Sequence, residues 1–206
     1  MDSGAGSTGY IAFMAGRKQP QPFDPERAAI LDDPERERWL STRRIVSMLD
    51  VRDGMQVLDY GAGTGRYALS IARAHPGARV TAFDIQEKML NIVNQRVSES
   101  GLQNLRIAGP DASAVEQQHF DRALGVHLLH EIDDEHLEHI AGTLKRGGSL
   151  LMIDWDRDVE RDFGPPPGHV HTLDEAVERL RRAGFTTEVL DSPDFPYHFA
   201  IRAMRP

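Results

Sequence analysis

The chain of 206 residues has no cysteine, which excludes disulfides, thiolate metal sites and a cysteine nucleophile. It is also short of positive charge: 24 lysines and arginines face 32 aspartates and glutamates, for a formal net charge of −8. Proteins that neutralise phosphates usually carry a basic face. Here Arg36, Arg38, Arg43, Arg44, Arg179, Arg181 and Arg182 cluster but are largely interleaved with acids, so they read as solvated helix surface and no nucleic-acid partner is expected. No apolar run approaches the ~20 residues that span a bilayer. The apolar patch Tyr10–Gly16 has its basic residues after it, not before it as a secretory signal would. Membrane insertion is therefore not expected, and the cytoplasm is the default address.

What is present is an alternation of short apolar runs and helical periods, of a length suited to one domain. Residues 1–22, rich in Gly, Ser and Gln, show no period and read as a flexible arm; residues 23–206 read as a single domain. Asp33-Pro34 supplies a helix start, with the helix expected to run to about Leu49. Strands are expected at Gln56–Tyr60, Arg79–Phe83, Leu105–Ala108, Phe120–His127 and Ser149–Trp155, the last starting after the break at Gly147-Gly148. Helices at Arg66–His75, Glu87–Ser100 and Asp134–Lys145 separate most of them. A capping box at Thr172 and Glu175 opens one more. Phe185–Leu190 and Tyr197–Met204 are joined by a loop too short for a helical crossover, so they must pair antiparallel. The sum is an α/β, doubly wound sheet with an antiparallel edge.

Ligands of open α/β sheets bind beyond the carboxyl ends of the strands. The first strand runs straight into Gly61-Ala62-Gly63-Thr64-Gly65 and then a helix. A dinucleotide fingerprint would have its third glycine where this chain has Arg66. Asp59 precedes the turn, and Asp84 closes the second strand 23 residues beyond Gly61, where a carboxylate can accept both hydroxyls of a ribose. Together these form an adenosine site without a pyrophosphate cradle.

VLDYGAGTG at Val57–Gly65, followed by FDIQ, resembles the cofactor motifs of the class I S-adenosylmethionine-dependent methyltransferases, and the likeness extends from about Phe23 to Met204. LDDPERERWL, HLLHEI, LKRGGSLLMIDWD and GPPPGH…PYHF are similar to the ubiquinone/menaquinone-biosynthesis-type subgroup. The resemblance implies a Rossmann-like seven-stranded sheet of order 3-2-1-4-5-7-6 with strand 7 antiparallel, and S-adenosyl-L-methionine as cofactor. It further implies that Gly61, Ala62 and Gly63 pass under the methionine part, with Asp59 near its amino group. Asp84 would hold the ribose, Ile85 would pack on adenine, Asp111-Ala112 would read the adenine amino group, and Gly125–His127 would flank the cofactor. The chain departs from the pattern at Gly109-Pro110-Asp111, where a proline precedes the acid.

The expected reaction is methylation of a small-molecule acceptor. Its main requirement is a near-attack geometry with water excluded. Where the acceptor must lose a proton, His130 or Asp154 could take it, both at the ligand-binding edge; His169 or His171 is a weaker choice. A lid from residues 10–40 would carry Tyr10, Phe13, Phe23 and Trp39. His136 and His139 lie off the Leu137/Ile140 face and are expected in solvent, and no metal is expected without cysteines. Two other readings stand beside this one: a regulatory protein that binds the cofactor without turnover, and an NAD-dependent oxidoreductase, against which Arg66 argues.

Overall fold

A computed structural model describes residues 23–206. Seven strands, β1 (Gln56–Tyr60), β2 (Arg79–Phe83), β3 (Leu105–Ile107), β4 (Phe120–Val126), β5 (Leu144–Trp155), β6 (Thr186–Leu190) and β7 (His198–Met204), form one sheet of order β3-β2-β1-β4-β5-β7-β6. β7 runs antiparallel to both β5 and β6, while the other pairs are parallel. The expected sheet order and terminal hairpin are thus present. The helices are α1 (Thr42–Met48), α2 (Arg66–Ala74), α3 (Glu87–Ser100), α4 (Asp134–Thr143) and α5 (Leu173–Arg182).

Strand alternation divides the core into two layers. Val57, Val80, Leu151 and Ile153 face Ile71 and Val93 on one side of the sheet. Leu58, Phe83, Leu150 and Met152 face Leu137, Ile140 and Leu180 on the other. β1 sits between β2 and β4, the point where the strand order reverses. The crevice therefore opens at the carboxyl ends of β1 and β4.

Four local expectations are corrected. The helix expected from Asp33 to about Leu49 is broken. Two 3₁₀ helices, Pro25–Asp32 and Pro34–Arg38, lead to Trp39, and α1 starts afresh where the Ser41 side chain accepts the Arg44 N–H. Gly147 and Gly148 lie inside β5 rather than before it: the register with β4 jumps between Phe120 and Arg122, and a Cβ on Gly148 would lie 2.9 Å from the Lys145 carbonyl. The glycines thus make an irregularity in a strand, not its start. Among the arginines expected at the surface, Arg36 and Arg179 are buried. Arg179 donates to the carbonyls of Leu129 and Ile132 and to Asp134, closing the loop after β4. Finally, His136 and His139 are half-buried: His136 pairs with Asp133, and His139 lies against the Tyr60 ring. Among the described residues, no helix is long and apolar enough to cross a membrane.

Candidate active site

The turn after β1 is clamped by backbone. Gly61, Gly63 and Gly65 adopt φ of +76°, +53° and +79°, a region side chains disfavour. The N–H groups of Gly61 and Ala62 both donate to the Phe83 carbonyl at 2.8 Å, fixing the turn to the end of β2. Asp84 follows immediately. One carboxylate oxygen accepts the Gly63 N–H at 2.8 Å and the other the Gln86 N–H at 2.9 Å. Each oxygen keeps a further lone pair, so the group can still accept two hydroxyls. Burial raises the Asp84 pKa, against the pull of those two N–H donors. Next to it Ile85 is an apolar side chain 47% exposed among the described residues.

Asp59 turns toward the helix. It is buried, and one oxygen accepts the Ala68 N–H of α2 at 2.9 Å. Burial, with a small addition from the Asp84 charge, pushes its pKa up to about 7 despite that hydrogen bond. Asp111 is exposed and accepts the N–H of Ser113, opening a short 3₁₀ turn at Ala112–Ala114.

A strap formed by the two N-terminal 3₁₀ helices crosses the crevice. The Phe23 N–H donates to Glu131 at 3.1 Å, and Gln86 donates to the Phe23 carbonyl at 2.8 Å. Further along, Asp32 accepts from Thr64 at 2.9 Å and from Arg96 at 2.7 Å. Arg66 donates to the carbonyl of Leu31 and pairs with Glu37. The residue that replaces the dinucleotide glycine is thus the strap's fastener. Of the expected lid residues, Tyr10 and Phe13 lie outside the described residues. Phe23 and Trp39 are on the strap.

The space above the turn is bounded by apolar side-chain ends. A Cβ on Gly61 would lie 2.8 Å from Leu128 Cδ1, and one on Gly63 would lie 3.1 Å from Leu31 Cδ1. Gly125 is equally tight, with Leu128 and Met152 at 3.0 and 3.1 Å from such an atom. Leu31 and Leu128 can turn away from the glycines, which the backbone of a bulkier residue could not.

Beyond β4, His130 and Asp154 form a pair. His130 Nδ1 lies 2.8 Å from one Asp154 oxygen, and the His130 N–H donates to the other at 3.1 Å. Burial lowers the His130 pKa, but the Asp154 charge and hydrogen bond outweigh it and the net shift is upward. Asp154 is lowered in turn, since His130 and its backbone donors overcome the cost of burial. Glu131 is pushed up to about 7 by burial, against the charge of His130 and the Phe23 N–H.

His127 follows the last residue of β4. Its φ of +54° aims it into a cluster with Trp39, Trp155 and His198. Its ring lies 4.7 Å from Trp155 and 4.9 Å from His198, centroid to centroid. His127 Nδ1 contacts Arg36 at 3.2 Å and its Nε2 contacts His198 Nε2 at 2.8 Å. Arg161 lies over Trp155. His171 is engaged by Arg179. Sequence reasoning missed Arg36, Glu131, Trp155, Arg161 and His198 as site residues. All but Arg161 stand in the phrases similar to the subgroup, but those phrases assign them no role, and only the fold brings β7 and the strap to the end of β4.

Sheet order, glycine turn and Asp84 together are those of the class I S-adenosylmethionine-dependent methyltransferases, which the chain resembles. Residues 57–148 match the methyltransferase domain model. The chain is 36% identical over 121 residues to the ubiquinone/menaquinone biosynthesis C-methyltransferase UbiE of Bordetella parapertussis, covering 56% of this chain and 46% of that protein. It is 29% identical over 164 residues to the 27-O-demethylrifamycin SV methyltransferase of Amycolatopsis mediterranei, covering 71% and 60%. The crystal structure of a SAM-dependent methyltransferase from Aquifex aeolicus superposes with a TM-score of 0.81 at 29% identity, over 89% of this chain and 99% of that one. The chain spans about half the length of the Bordetella relative.

Proposed function

We propose that the protein is an S-adenosylmethionine-dependent methyltransferase acting on a small-molecule acceptor. The observation that carries the reading is Asp84. It is drawn into the glycine turn by the Gly63 N–H yet retains an acceptor on each oxygen, beside the exposed Ile85. That donor–acceptor set fits a ribose diol with a flat base beside it. The turn offers backbone where a pyrophosphate site would need a third glycine, and Arg66 there is committed to the strap. When bound, the cofactor supplies a methyl group on a sulfonium that leaves by in-line displacement.

In this reading Asp84 holds the ribose and Ile85 covers adenine, with Asp111 and Ala112 at its rim. Gly61, Ala62 and Gly63 pass beneath the methionine part, and the free oxygen of Asp59 faces its ammonium. Gly125 and His127 bound the far side. His130 is the general base: Asp154 holds Nδ1–H and so presents Nε2 as the proton acceptor, while also stabilising the imidazolium that forms. The relatives support this reading. The Bordetella protein is named a ubiquinone/menaquinone biosynthesis C-methyltransferase and the Amycolatopsis protein a 27-O-demethylrifamycin SV methyltransferase. The reading includes a soluble, cytoplasmic protein without a nucleic-acid partner, the last supported by the acidic charge balance.

Calorimetry tests the reading. Adenosylhomocysteine should bind, NAD should not, and Asp84→Ala should weaken adenosylhomocysteine by roughly 1–3 kcal/mol, the cost of buried hydroxyls left unpaired. Binding of NAD alone would overturn it.

A further inference from the structure

At the ends of β4, β5 and β7 the rings of Trp39, His127, Trp155 and His198 stack, with Trp39 and His198 only 8° from parallel. Inside this stack the hydrogen bonds fix the position of every imidazole proton. The Arg36 guanidinium has only donors, so His127 Nδ1 must accept from it at 3.2 Å. The His127 proton then sits on Nε2 and is given to His198 Nε2 at 2.8 Å. His198 must in turn carry its proton on Nδ1. That atom is buried and has no partner among the described residues, and the same holds for Arg36 Nε.

Both residues are more than nine-tenths buried, His198 at 7% and Arg36 at 8% exposure. Buried donors in native proteins are nearly always paired, because leaving one bare forfeits its hydration without return. Burial also holds both imidazoles neutral, His198 at about 3 and His127 well below its usual value, so the chain of donors keeps its direction at neutral pH. The surrounding surfaces are flat and the flanking charges, Arg36 against Trp39 and Arg161 against Trp155, are positive. Asp154, next to Trp155 in the chain, ties this stack to His130.

We infer that Arg36, His127 and His198 form a donor relay whose terminal N–H, on His198, binds an oxygen of a planar, ring-shaped acceptor molecule stacked against Trp155. The carbonyl or phenolate class is the chemistry that suits it: a flat π face for the rings, and an oxygen lone pair for the one unpaired N–H. Trp39, half-buried on the strap, and Phe163, 38% exposed, are the rings that must move for such a molecule to enter. The acceptor role rests on the proposed function; the relay itself rests on the hydrogen bonds alone.

The chain's two tryptophans are Trp39 and Trp155, so its tryptophan fluorescence reports on this stack and nothing else. The probes are 1-indanone and indane, one ring frame with and without a carbonyl oxygen, titrated with and without saturating adenosylhomocysteine. Indanone should quench saturably and bind about tenfold more tightly than indane, the worth of one hydrogen bond. His198→Phe should bring that ratio near one while indane affinity holds. His198→Gln, which keeps a donor, should restore part of it, and Arg36→Met should reduce it. A ratio near one in the natural protein, a ratio that survives His198→Phe, or no saturable quenching by either probe overturns the inference. Protein that binds indanone with the expected ratio but fails to bind adenosylhomocysteine by calorimetry overturns the proposed function and leaves the relay standing.

Discussion

The two ends of the crevice are built from different materials. Around the glycine turn the contacts are backbone N–H groups meeting Phe83 and Asp84, all within one β-α-β unit. At the far end, side chains from the strap, β4, β5 and β7 meet as rings and charges, with partners such as His127 and His198 71 residues apart. A backbone cradle suits a ligand that is always the same. A side-chain wall can be rebuilt without disturbing the fold, and this is where related proteins on one fold can differ in acceptor.

The comparison makes the far end the place where chemistry is lost without loss of cofactor. The largest expected effect is therefore at His130. His130→Ala should lower kcat by about 10²–10⁴-fold with adenosylhomocysteine affinity unchanged. The base must be neutral to act, and the Asp154 charge raises its pKa, so activity should fall on acidification through a midpoint above 6.5. Asp154→Asn should move that midpoint down in a pH–rate profile. A profile insensitive to both changes removes His130 from catalysis.

Arg179→Met comes next. It strips the donors from the Leu129 and Ile132 carbonyls that frame His130, and thermal or urea unfolding should register a loss of roughly 2–5 kcal/mol. Stability unchanged within error would mean that the loop after β4 does not depend on this buried charge.

Asp59 probes the other end. Its folded pKa of about 7 lies above the unfolded value near 3.8, so the folded state binds the extra proton between them and stability declines as pH rises across that window. Asp59→Asn removes the buried charge and can keep the bond to Ala68. The variant should match the natural protein near pH 4 and exceed it by on the order of 1–3 kcal/mol at pH 8. A gap that does not grow with pH would mean Asp59 is not held up by burial.

The smallest effect is expected at the strap. Asp32→Ala breaks the partly exposed pair with Arg96 and the bond from Thr64. Stability should change by about 1 kcal/mol or less. In stopped-flow binding, adenosylhomocysteine should associate and dissociate faster, because the strap crosses its path. Unchanged rates would separate the strap from cofactor exchange.

Most of the sheet was legible because periodicity and glycine punctuation are local: β1, β2, α3 and the hairpin of β6 and β7 fall within a residue or two of expectation. The errors have a common origin. The break at Trp39 has no proline or glycine to announce it; Trp39 leaves the helix to join rings contributed by β5 and β7. Arg36 and Arg179 carry surface-like neighbours in the chain, and only the carbonyls and imidazoles they meet justify burying them. Gly147-Gly148 looks like a loop until the carbonyls of Lys145 and Phe120 explain the missing side chain at Gly148, and a φ of +75° the one at Gly147.

The sequence by itself determined the order of strands and helices, the glycine turn and the position of Asp84, since each depends on residues a few positions or one β-α-β unit apart. Tertiary structure decided which side chains meet at the far end of the crevice. His130 with Asp154, and Arg36 with His127 and His198, are pairs separated by tens of residues, and their proton positions follow from distances that no spacing encodes.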